Sequence, residues 1–185
     1  MRTVGFTGAR IDRADAIRND PERLADAMST LSARLLRLDG IDPVDDGMGG
    51  LVWGSLAEVE PDRELLFLGM VEGKPRFAPL APPGVVYDAR SRTAWQVLGL
   101  LAPDQAALYA AARSLIDWHS RHRFCAQCGG ATTVAKGGWQ RNCGQCAAQH
   151  FPRTDPVVIM LAEYEGKALV GRQHGWPPGR YSALA

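Results

Sequence analysis

The residues with the most distinctive chemistry are the four cysteines, set as Cys125-x-x-Cys128 and Cys143-x-x-Cys146 with fourteen residues between the pairs. A two-residue spacing lets one turn aim both sulfurs at a single ion. Two such turns supply the four thiolates of a tetrahedral Zn²⁺ site, with Zn–S of about 2.3 Å. Gly129, Gly130 and Gly144 accompany the turns, as a backbone curling around an ion requires. Four thiolates fill the coordination shell and leave no position for water, so the zinc would be structural rather than catalytic. The segment between the pairs is too short and polar to make its own core, so metal binding would have to fold it. Structural zinc can contribute on the order of 10–16 kcal/mol to such folding. Thiol–disulfide redox and two structural disulfides are the competing readings. A redox pair normally opens a helix in a βαβ context, which neither pair does.

Zinc ribbons often bind nucleic acid, so a non-catalytic module that binds nucleic acid or a protein partner is the functional rival. Between the turns, however, only Lys136 and Arg141 are basic and Trp139 is the lone aromatic. A dedicated binder would carry a broader basic footprint with stacking aromatics. Other groups offer less. Asp117, His119 and His122 read as the polar face of a helix, and Trp95 and Trp118 as core. No Gly-x-Gly-x-x-Gly or phosphate-binding loop is present. Ser114, Ser120 and Ser182 sit in no nucleophile motif.

The elements that must position the cysteines are legible in part. Asp20 and Pro21 open a helix with Leu24, Ala27 and Met28 on one face. "ARLLRL" reads as a short strand and "DGIDPVDDGMGG" as a turn-rich loop. The apolar runs flanking "EGKP" predict a β-hairpin. The clearest helix is "LAPDQAALYAAARSLIDWHSRHRF", whose apolar residues recur at helical spacing and which leads directly into Cys125. "DPVVIMLAEYEGKALVGRQ" reads as two strands around "EYEGK". The fold class expected is α+β: an N-terminal mixed α/β domain with a largely antiparallel sheet over 1–121, a zinc ribbon over 122–153, and the first strands of a further domain over 154–185. A net charge of +1 gives no strong field for gathering polyanions. No run reaches the length of a membrane span, and the arginine-bearing start lacks an apolar signal core. A reducing, cytoplasmic location is expected.

The stretches "WHSRHRFCAQCGG", "FPRTDPVVIML" and "PPGRYSALA" resemble the NADH pyrophosphatases, a branch of the Nudix hydrolases. The resemblance runs more loosely through "IDRADAIRNDPERL" and "LLFLG…FAPL", and so covers essentially the whole chain. It implies three parts: a variable N-terminal domain, the zinc ribbon, and a catalytic Nudix domain, commonly assembled as a homodimer. The implied activity is hydrolysis of the NAD(H) pyrophosphate to nicotinamide mononucleotide and AMP, with removal of NAD caps from RNA in some members. The family's catalytic glutamates, in the Nudix box, hold Mg²⁺ or Mn²⁺.

By the same resemblance, Cys125, Cys128, Cys143 and Cys146 are the zinc ligands. Phe151 matches the aromatic that packs against a substrate base, where the plain alternative is a core residue at a strand entry. Arg90, in "DAR", matches an arginine that contacts substrate. Ala185 matches a position whose backbone carbonyl contributes to the catalytic metal site. The box is expected to begin where the sequence ends, and Glu163 and Glu165 precede that point. The expectation is a chain cut before its active site and inactive by itself.

Overall fold

The computed structural model describes residues 6–87 and 92–185. They fall into two compact units, 1–152 and 153–185.

The first unit opens with α1 (Asp15–Arg18) and α2 (Pro21–Ser29). Asp20 caps α2 as its sequence predicts: the carboxylate accepts from the amides of Glu22 and Arg23, and Pro21 takes the position where no N–H is needed. The strands β1 (Arg34–Leu36), β2 (Leu38–Asp39), β3 (Asp42–Pro43) and β4 (Trp53–Ser55) follow, then β5 (Leu65–Val71) and β6 (Lys74–Pro79). The expected hairpin is β5 and β6, turned by Glu72 and Gly73, both at positive φ. Part of the turn-rich loop forms a small hairpin of its own, β2 with β3.

One four-stranded sheet runs in the order β4-β1-β6-β5. It is antiparallel except between β1 and β6, which lie parallel. Helices α3 (Arg92–Leu100) and α4 (Pro103–Arg121) complete this part. β5 explains the layering. Leu66 and Leu68 join Leu108, Tyr109, Ala112, Leu115 and Ile116 of α4 in one buried cluster. Phe67 points the other way, into a second cluster with Phe77, Leu35 and Ala27 of α2. Helices therefore cover both faces, which is why β5 reads as a continuous apolar run rather than an alternating one. Two expectations fail here. α3 has no counterpart in the sequence reading, and its Trp95 is 67% exposed while Ala94 takes the buried position. Trp118 is in the core as expected.

The helix α4 delivers the chain into a three-stranded antiparallel sheet, β7 (Thr132–Ala135), β8 (Gln140–Cys143) and β9 (Gln149–His150). A 3₁₀ turn, Lys136–Gly138, links the first two strands.

The second unit holds one short antiparallel hairpin, β10 (Ala162–Tyr164) and β11 (Lys167–Leu169), turned by Glu165 and Gly166 at φ 50 and 70. That pair of left-handed residues suits the twist of a two-residue hairpin loop. Isolated bridges join Met160 to Leu184 and Gly171 to Ser182. Val157 to Leu161 are largely exposed, Ile159 at 75%.

Candidate metal centre

The first cysteine turn forms where α4 ends. The amide of Gly129 donates to the carbonyl of Cys125 (2.9 Å), and that of Cys125 to Gly130 (2.8 Å). The second turn repeats this: Ala147 donates to Cys143 (3.2 Å) and Cys143 to Ala148 (2.9 Å). The pairing of Thr132 with Cys143 across β7 and β8 brings the two turns face to face.

All four sulfurs consequently lie within 4.8 Å of one another. Cys125 Sγ is 3.6 Å from Cys146 Sγ, and Cys128 Sγ is 3.5 Å from Cys143 Sγ. A tetrahedron with metal–sulfur bonds of about 2.3 Å has edges of about 3.8 Å, close to these two separations, so the cluster suits Zn²⁺. The close pairs run between the turns, and all four thiols are free, so no structural disulfide joins them. Backbone amides aim at the sulfurs: Gln127 at Cys125 (3.4 Å), Gly130 at Cys128 (3.4 Å), and Gln145 and Cys146 at Cys143 (3.3 and 3.4 Å).

Those amides from Cys146 and Gln145 lower the pKa of Cys143 to about 6. At Cys128 the Gly130 amide works in the same direction, but hydrogen bonds from the neighbouring thiols push it up to about 12. A divalent cation is what allows four crowded thiolates to coexist. Cys125 and Cys143 are buried, Cys128 and Cys146 exposed, and no position is left for a catalytic water.

The ribbon does not rest on the metal alone. Gly137 and Gly138 are buried against β5: a Cβ on Gly138 would stand 2.8 Å from Leu66 Cδ1 and 3.1 Å from its Cα. At φ 91 that residue is also in a conformation that glycine adopts without strain. Trp139 Nε1–H donates to the carbonyl of Phe67 (2.7 Å), while the Arg13 and Arg18 guanidinium groups lie 5.1 and 5.0 Å from the ring centroid.

Beneath this, Arg141 is buried in the ribbon. It donates through Nε to Thr132 Oγ1 (2.8 Å), through NH2 to the carbonyl of Thr132 (2.7 Å), and through NH1 to His119 Nδ1 (3.0 Å). His119 in turn donates Nε2–H to the carbonyl of Gly138 (2.7 Å). Burial lowers the pKa of His119 to about 4, against the pull of the Gly138 carbonyl and with the help of the Arg141 cation.

His119 was expected on a polar, solvated helix face and is instead fully buried in the joint between α4 and the ribbon. The polar segment between the cysteine pairs, expected to need metal for its folding, docks on β5 and α4 as well. These contacts were missed because a polar residue gives no burial signal in a linear pattern. The one available cue was "KGGW", since paired glycines beside a tryptophan mark a close approach.

Of the other site residues expected from sequence, Phe151 follows β9 directly and stands 51% exposed, outside both core clusters. Ala185 is exposed. Arg90 lies outside the described residues. Apart from the four cysteines, no group of three or more His, Cys, Asp or Glu gathers as a metal site among the described residues. No helix among them is long and apolar enough to cross a membrane.

Residues 120–151 match the family profile of the NADH pyrophosphatase zinc ribbon domain. The chain is 34% identical to the NAD-capped RNA hydrolase NudC of Mycobacterium tuberculosis over 186 aligned residues, which cover 94% of this chain and 58% of that protein. It is 41% identical to the human NAD-capped RNA hydrolase NUDT12 over 95 residues, 46% of this chain and 21% of that one. The chain thus spans about 58% of the length of the mycobacterial relatives it matches. In its ribbon and along nearly all of its length, the chain is thus similar to the NADH pyrophosphatase family of Nudix hydrolases.

Proposed function

We propose that the chain serves a metal-dependent NAD(H) pyrophosphatase, which cleaves the dinucleotide to nicotinamide mononucleotide and AMP and removes NAD caps from RNA by the same cut. The observation that carries this is the 34% identity along 94% of the chain to a NAD-capped RNA hydrolase. In this reading the intact protein is a cytoplasmic homodimer using Mg²⁺ or Mn²⁺. Zinc is the ribbon's ion and takes no part in the chemistry. Phe151, half exposed just past the ribbon, offers its ring to a substrate base, Arg90 contacts substrate, and the carbonyl of Ala185 contributes to the catalytic metal site.

No carboxylate set gathers among the described residues, so no step of the hydrolysis is assigned to them. Residues 1–185 by themselves are expected to hold a base and the zinc but to release no product. The division into 1–121, 122–153 and 154–185 follows the family's three parts, although the ribbon packs tightly on the first of them.

The alternative is a ribbon that binds nucleic acid without catalysis. It has less support, because Trp139 is tied to Phe67 and flanked by two arginines, and Arg141 is buried. Residues 1–185 can be tested with NMN, AMP, NADH and NAD-capped RNA in Mg²⁺ or Mn²⁺. Saturable mononucleotide binding that is lost in Phe151→Ala, with no AMP released from NADH, is the expected result. Turnover at an enzyme's rate would overturn the assignment of chemistry elsewhere. Equal, steeply salt-dependent binding of capped and uncapped RNA would favour the rival.

A further inference from the structure

The strand β9 is only two residues long, and three contacts fix it. It pairs with β8, Arg141 opposite His150 and Asn142 opposite Gln149. The residue before it, Ala148, accepts from the amide of Cys143 (2.9 Å). His150 Nε2 lies 3.3 Å from Cys125 Sγ. A metal-bound sulfur carries no proton, so in this last contact the imidazole donates and the thiolate accepts. The next residue is Phe151, whose ring is half exposed. His150 is therefore the side chain that links the sulfur cluster to the backbone from which this ring projects.

We infer that His150 is a positioning residue, which by donating Nε2–H to Cys125 Sγ holds Phe151 in the orientation that meets a nucleobase. The inference rests on the stacking role proposed above for Phe151. It makes the zinc site more than a clamp: the geometry of the cluster sets the pose of a substrate contact one residue beyond β9. Glutamine at 150 can still present an N–H to sulfur, whereas alanine cannot.

The test uses residues 1–185 labelled with fluorophenylalanine at all five phenylalanines, the Phe151 resonance being assigned through Phe151→Leu. In His150→Ala, zinc is expected to stay at one per chain, and the Phe151 fluorine signal to shift toward that of the free amino acid. Binding of whichever mononucleotide moves that signal in the wild type is expected to weaken about tenfold. His150→Gln should restore both signal and affinity. An unchanged Phe151 resonance in a zinc-loaded His150→Ala protein would overturn the inference. Loss of zinc from both variants would overturn it equally, because the histidine would then serve the cluster and not the ring. If His150→Ala shifts the resonance but neither NMN nor AMP moves it in the wild type, the positioning role stands and the stacking role of Phe151 fails.

Discussion

The joint between α4 and the ribbon makes a definite prediction about acid stability. His119 is neutral in the folded protein, sharing its two ring nitrogens between the Gly138 carbonyl and the Arg141 guanidinium. Its pKa falls from 6.5 when solvated to about 4 when buried, chiefly by desolvation, and the Arg141 and Arg123 guanidinium groups add to the cost of charging it. A base whose folded pKa is depressed binds its proton first in the unfolded state. Stability is therefore full above about pH 6.5, declines as the pH falls, and levels off below about 4. The full span is worth about 3 kcal/mol, of which about 2 kcal/mol is lost by pH 5. Zinc thiolates also weaken in acid, so the informative quantity is a difference between proteins. Urea unfolding of the wild type and of His119→Gln, followed by tryptophan fluorescence with zinc in excess, isolates it. The variant loses stability at neutral pH but should carry a shallower acid slope, closing on the wild type by about 2 kcal/mol between pH 7.5 and pH 5. Parallel slopes would refute the assignment of a neutral, buried His119.

Two further predictions concern the same region. Chelation of zinc, or Cys125→Ser, should strip hydrogen-exchange protection from the amides of β7 to β9 while β5 and β6 keep theirs, because the sheet of the first part is closed by its own core clusters. Gly138→Ala should cost about 2–3 kcal/mol in urea unfolding, since the added methyl meets Leu66 and the backbone sits at φ 91; a loss under about 0.5 kcal/mol would mean that the ribbon does not press on β5 as described.

How much of this was readable in advance follows from where each signal resides. The Asp20–Pro21 cap, the hairpin of β5 and β6, the long helix and the four-thiolate cluster each write themselves into a few adjacent residues. The parallel pairing of β1 with β6 does not, since it joins Arg34 to Arg76 and Leu35 to Phe77 across some forty residues. The same holds for His119 and Arg141. Each looks solvated in its own segment, the first on a helix ending in basic residues, the second on a strand of polar ones. Only their approach shows that each partners the other, with Thr132 and Gly138 as the further acceptors. A buried guanidinium held by neutral acceptors is costly unless every donor is met. The polarity of the segment between the cysteine pairs, which suggested a loop folded by metal alone, is thus the chemistry of a joint. The zinc holds the two turns together, and the Arg141–His119 contact, with Gly138 and Trp139, holds the ribbon to the sheet. A ribbon fastened at both levels presents Phe151 from a fixed base, which is what a residue proposed to meet a nucleobase requires.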